Sequence, residues 1–148
     1  MTGAPDAVPV RADASPRGQE TVLLVEDDAG VRAITATILR GQGYTVFDAS
    51  NGAEALRLCQ AGGPAFDLLL TDSIMPHMGG RELADRLTAR WPQLRVLFMS
   101  GYTEDRILRQ RVIDDRDAFI QKPFKASELA RRVRDVLDAS PTSGPGAT

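Results

Sequence analysis

Residues 66–80 read FDLLLTDSIMPHMGG, and the rest of the 148-residue chain is arranged around them. Phe66 with Leu68 to Leu70 makes a short apolar run of the kind a fully buried parallel strand requires, and the run ends at an aspartate, a proline and two glycines. Asp72 therefore falls at the carboxyl end of a buried strand. In open parallel α/β sheets the loops leaving the strands converge at that edge and helix N-termini point at it, so ligands bind there. A carboxylate in that place can ligate a cation or act as a nucleophile. Taken alone, it can equally be no more than the residue that opens a turn ahead of Pro76.

On either side of this stretch, short apolar runs alternate with segments of helical period. Thr21–Val25 reads as the first strand, followed by a helix whose face is marked by Val31, Ile34, Ile38 and Leu39, with Asp28 as its N-cap and Gly41 or Gly43 as its stop. Thr45–Ala49 is a second strand. The next helix covers residues 51–61, capped by Ser50 or Asn51 and ended by Gly62 and Gly63. After the central strand, residues 82–90 form a helix that buries Leu83 and Leu87 and stops before Pro92. Residues 95–99 are strand four, residues 104–112 a helix, and Ala118–Gln121 a short fifth strand. Leu129, Val133, Val136 and Leu137 then trace the cleanest apolar helix face in the chain. Five βα units with right-handed crossovers give an α/β fold, a doubly wound five-stranded parallel sheet with both faces covered.

Composition narrows the function. The net charge is -2 and the sequence pI is about 5.4, without the basic footprint of a nucleic-acid reader. Cys59 is the single cysteine, so no internal disulfide forms, and no apolar run reaches the roughly 18 residues of a membrane span or a secretory signal's core. A cytoplasmic location is expected. Residues 1–19 and 140–148, rich in Ala, Pro, Gly and Ser without periodicity, read as disordered tails around one domain at 20–139.

Each strand's carboxyl end carries a polar group. Glu26, Asp27 and Asp28 follow strand one, Asp72 ends strand three, Ser100 ends strand four, and Lys122 and Pro123 follow strand five. All fall on one rim. Clustered carboxylates repel unless a cation sits between them, and an all-oxygen donor set with room for waters favours Mg²⁺ over Zn²⁺. Singly, each feature has a plainer explanation as an N-cap, a turn residue or a strand-end charge. Lys122 and Lys125 are the only lysines, which makes Lys122 less typical of surface filler.

The segments VLLVEDD, LLLTDSIMP, VLFMSG and FIQKPF, in this order and spacing, resemble the receiver domain of two-component response regulators across residues 20–139. The resemblance implies a flavodoxin-like (βα)5 fold. It implies a phosphoacceptor at Asp72, a Mg²⁺ site from Glu26, Asp27, Asp72 and the backbone carbonyl of Ile74, and a phosphate-pairing Lys122. It further implies a switch formed by Ser100 and Phe119, hydrolysis tuned by Ile74 and Tyr102, and a cis bond into Pro123. The expected partner is a histidine kinase or histidine phosphotransfer protein, with neither nucleic acid nor membrane contacted directly. His77, the only histidine, lies in a loop and is not expected to carry phosphate.

Three functions follow. The first is a stand-alone receiver acting as a phosphorylation-controlled interaction module, since no output segment follows Ala139. The second is the receiver portion of a hybrid sensor histidine kinase, which MSGYTED followed by FIQKPF resembles. The third is a small Mg²⁺-dependent phosphatase-like enzyme, which would need a second acid-base group or a glycine-rich phosphate loop after strand one, where EDDAGVR stands. A homodimer, if one forms, is expected to use the face from the helix at 104–112 to the last helix. Arg106, Arg109 and Arg111 give that face positive charge, and read as a solvated surface.

Overall fold

The computed structural model describes residues 17–60, 65–101 and 118–139. The helix expected at 104–112 with its three arginines, Tyr102, Gly62 and Gly63, and the terminal segments 1–16 and 140–148 lie outside the described residues. The elements in chain order are β1 (Thr21–Val25), α1 (Ala29–Gly41), β2 (Thr45–Ala49), α2 (Gly52–Gln60), β3 (Leu68–Asp72), α3 (Gly80–Arg90), β4 (Arg95–Ser100), β5 (Ala118–Gln121) and α4 (Ala126–Asp138). The strands pair in the order β2-β1-β3-β4-β5, and every pairing is parallel. This is the doubly wound, flavodoxin-like sheet.

Why the strands read as unbroken apolar runs is visible in their packing. Val22, Leu24, Leu68 and Leu70 face a core completed by Leu39 of α1 and Leu129 and Val133 of α4. Their neighbours Leu23, Val25 and Leu69 face the opposite core, with Leu83 and Leu87 of α3 and Ala55 of α2. A strand covered on both sides leaves no solvent face to make polar. All five residues of β3 are buried, Asp72 included.

Three sequence expectations are corrected. Phe66 stands ahead of β3 rather than in it, half-buried with its ring edge-on to Phe47 at 5.6 Å between centroids. Ile34 does not belong to the buried face of α1: it is 63% exposed, and the helix instead buries Thr35, Ala36 and Leu39. The hydroxyl of Thr35 donates to the Val31 carbonyl at 2.7 Å, so a polar residue is satisfied inside the core and a count of apolar residues passes over it. Helix α3 begins at Gly80, two residues earlier than expected, because the second glycine starts the helix instead of ending the loop. The Asp28 cap is as expected, its carboxylate accepting from the Val31 N–H at 2.9 Å.

Residues 17–19 run alongside the body. The Gly18 N–H donates to the Gln42 carbonyl at 3.0 Å, and Arg17 Nη2 donates to the Gly41 carbonyl at 3.2 Å.

Candidate functional site

Strand order reverses at β1, with β2 on one side and β3 on the other, and the crevice beyond the carboxyl ends of β1 and β3 is where this topology places a ligand. Glu26 and Asp27 leave β1 into that crevice, and Asp72 ends β3. One carboxylate oxygen from each of the three lies within 4.8 Å of the others. Glu26 and Asp72 are buried and Asp27 is exposed, so the cluster is open on one side only.

Lys122 reaches this cluster from the end of β5. Its Nζ donates to Asp72 Oδ1 at 2.8 Å and to Glu26 Oε1 at 3.1 Å. The other Glu26 oxygen accepts from the Asp28 N–H at 3.0 Å. With both oxygens engaged, Glu26 supplies negative charge at the base of the site as much as a ligand atom.

Electrostatics follow from burial. The Asp72 carboxyl is pushed up to about 8, chiefly because burial disfavours its charged form; Lys122 opposes the rise, while Glu26 and Asp27 add to it. Burial works against the Lys122 ammonium, but the hydrogen bond and charge of Asp72, with Glu26, outweigh it and raise the lysine. Three carboxylates against one ammonium leave an excess of negative charge, and their donor atoms are all hard oxygens. Such a set fits a divalent cation, which would draw the Asp72 carboxyl back to its ionised form. Glu26, Asp27 and Asp72 could therefore hold a metal ion.

The backbone fixes these groups tightly. Ser73, buried, donates its N–H to the Met99 carbonyl at 2.9 Å and accepts from the Gly80 N–H at the same distance. A Cβ on Gly80 would lie 2.2 Å from the Asp72 carbonyl oxygen and 3.0 Å from Ser73 Cα, so only glycine lets α3 begin this close to the site. Arg32 Nη1 donates to the Glu26 carbonyl at 2.7 Å and holds the acidic loop from the side of α1. Neither role is expected from the sequence. Gly80 reads there as one of two turn residues, and Arg32 acts on a backbone atom, which leaves no sign in residue type.

Ser100 is buried at the end of β4, on the same edge, and its carbonyl accepts the Lys122 N–H at 2.7 Å. Phe119 lies in β5 beside Phe98, half-buried against the core shared with α2 and α3. Ile74 is 37% exposed in the loop after β3. His77 follows in that loop with φ of 70°, a left-handed conformation uncommon outside glycine. The Lys122–Pro123 bond is cis. Tyr102 lies outside the described residues, so Ile74 is the described member of that pair. Glu26, Asp27, Asp72 and Lys122 are thus brought together, with Ser100 one strand away.

A doubly wound α/β domain with an acidic, lysine-paired crevice at its switch point is the class that this fold and site define. The family model described as the response regulator receiver domain matches residues 22–134, and the chain belongs to that family, a signalling domain of two-component systems. It is 38% identical over 121 residues to the sensor kinase CckA of Brucella abortus (strain 2308), covering 82% of this chain and 13% of that protein. It is 37% identical over 120 residues to the response regulator receiver protein CpdR of the same organism, covering 80% of this chain and 98% of that one. Among solved structures, the receiver domain of the hybrid histidine kinase CckA superposes with a TM-score of 0.66 at 33% identity, covering 80% of this chain and 99% of that one. Among the described residues, no helix is long and apolar enough to cross a membrane.

Proposed function

We propose that Asp72 accepts a phosphoryl group from a phosphohistidine on a partner kinase or histidine phosphotransfer protein, and that Mg²⁺ is the cation of the site. The observation that carries this reading is the buried Asp72 carboxylate at the switch point, bonded at 2.8 Å to Lys122 and grouped with Glu26 and Asp27. An Asp72 oxygen attacks phosphorus, an O–P bond forms as the donor's N–P bond breaks, and the electron pair of that bond leaves with the imidazole. The product is an acyl phosphate. Bound Mg²⁺ supplies charge neutralisation to the phosphoryl oxygens, which is most of what such a transfer requires. Lys122 shifts from carboxylate to phosphoryl oxygen as charge moves outward. Asp27, Glu26, Asp72 and the Ile74 carbonyl would hold the cation, with waters in its remaining positions.

Ser100 then hydrogen-bonds the phosphoryl group and Phe119 turns inward, so the output is a changed protein-interaction surface. Ile74 gives an attacking water no hydrogen bond, and together with Tyr102 it slows loss of phosphate. Substituting Ile74→Asn with Tyr102→Ser should speed decay after donor removal about tenfold or more, a barrier change of about 1.4 kcal/mol. An unchanged decay rate would remove both side chains from the control of water access.

The test is labelling of the full chain by a small phosphodonor with Mg²⁺. One phosphoryl group is expected, lost in Asp72→Asn and in excess chelator. Labelling that persists in that variant would overturn the assignment. A receiver joined to a kinase is the second reading, favoured by the 38% identity to a protein of which this chain spans 13%.

A further inference from the structure

At the opposite edge of the sheet from Asp72, α2 and α3 leave a cleft of two adjoining chambers. Phe66 lies just ahead of β3 and Leu94 just ahead of β4, which places the cleft at the amino ends of the strands. One chamber, of about 170 Å³, is walled by Leu23, Phe66, Leu87 and Leu94. The second, of about 190 Å³, is lined by Leu56, Gln60, Arg86 and Arg90. Cys59, Leu87 and Trp91 line both and join them.

The two chambers differ in chemistry. An apolar cavity of roughly 150 Å³ is enough to take a benzene molecule, so the first suits a single aromatic ring. Among the described residues, the lining of the second includes two arginines and no acid. Arg86 is already bonded to Glu82 at 2.7 Å. Arg90 lies over the Trp91 ring at 4.7 Å, and among the described residues no carboxylate pairs with it. A guanidinium stacked on a ring keeps its N–H donors, which lie in its own plane, available to a carboxylate.

We propose that this cleft binds a small aromatic carboxylic acid, its ring in the chamber of Leu23, Phe66, Leu87 and Leu94 and its carboxylate on Arg90 beside Trp91. Neither part of the site suffices alone. Inorganic anions would leave the apolar chamber empty, and neutral aromatics would leave Arg90 without an anion. The site is independent of phosphoryl acceptance at Asp72, so its ligand should bind Asp72→Asn as it binds the wild type.

Two side chains in the wall report occupancy. Trp91 is the only tryptophan and Cys59 the only cysteine in the chain. Burial pushes the Cys59 thiol up, so its alkylation is slow and sensitive to any further covering. The full chain should be titrated with 3-phenylpropionate, reading Trp91 fluorescence and the rate of Cys59 alkylation by iodoacetamide. A saturable fluorescence change and slowed alkylation are expected. The uncharged analogue 3-phenylpropanol should bind about tenfold more weakly or worse, the loss of one charge-assisted hydrogen bond, and Arg90→Gln should bring the acid down to the alcohol's affinity. Alkylation is the deciding readout in Arg90→Gln, because that change also alters the surroundings of Trp91. Absence of saturation, equal binding of acid and alcohol, or undiminished protection by the acid in Arg90→Gln would each overturn the proposal.

Discussion

Gly80 shows how a residue with no side chain positions the site. Helix α3 starts where a Cβ would sit 2.2 Å from the Asp72 carbonyl oxygen, and that oxygen is backbone, so relief requires moving the end of β3 itself. Gly80→Ala should therefore destabilise the fold by about 1–3 kcal/mol, the range for overpacking a tight site, and reduce phosphoryl uptake at Asp72. The neighbouring glycine is the control. A Cβ on Gly79 meets only the Ser73 carbonyl oxygen, at 3.4 Å, and Gly79 is the N-cap of α3. Gly79→Ala should cost about 1 kcal/mol or less, the usual difference between glycine and the poorer N-cap alanine. Urea unfolding of both variants checks the pair; equal losses would mean that the close approach at Gly80 is not what constrains the site.

Among the elements, α4 is held to β1 by charge as well as by its apolar face. Arg134 Nη2 and Nη1 donate to the two Glu20 oxygens at 2.6 and 3.0 Å, Nη1 also reaches the Tyr44 hydroxyl at 3.2 Å, and Nη2 bonds Asp138 at 2.8 Å. The Arg134 hydrogen bond is the main reason the Glu20 carboxyl is held at about 2, against an ordinary 4.5. A carboxylate depressed in the folded state binds fewer protons folded than unfolded. Its contribution is complete above the ordinary value and is lost as pH falls through the folded one. Between pH 4.5 and pH 2 the wild type should thus lose more stability than Arg134→Gln, with urea midpoints converging toward the acid end. Parallel curves would show that the pair contributes nothing. The sequence made some elements legible and others not, for physical reasons. Thr21–Val25 stands where its apolar run places it, because burial on both faces writes itself into residue type, whereas the edge strands Thr45–Ala49 and Ala118–Gln121 stand where expected with exposed residues among them. The buried face of α1 was hidden by Thr35 and Ala36, one satisfied by its own helix and one too small to weigh in a hydrophobic count.

For the whole molecule, topology turns distant residues into neighbours. Glu26 and Lys122 are 96 positions apart and meet at 3.1 Å, and parallel strands in the order β2-β1-β3-β4-β5 are what bring them to one edge. Reading each strand's carboxyl end was therefore enough to collect Glu26, Asp27, Asp72, Ser100 and Lys122 from the sequence. It could not reach Arg32 or Gly80, whose parts depend on backbone atoms and on distances across a loop. Under the proposed function Asp72 is preferred over Glu26, which is also buried and bonded to Lys122, because both Glu26 oxygens are engaged, one by Lys122 and the other by the Asp28 N–H. The most direct measurement is to phosphorylate the full chain with Mg²⁺ and a small phosphodonor, reduce the acyl phosphate with borohydride, and map the product by peptide mass spectrometry. Homoserine at position 72 is predicted; reduction product at Asp27 instead, or a label on Ser100 or His77 that borohydride leaves intact, would contradict it.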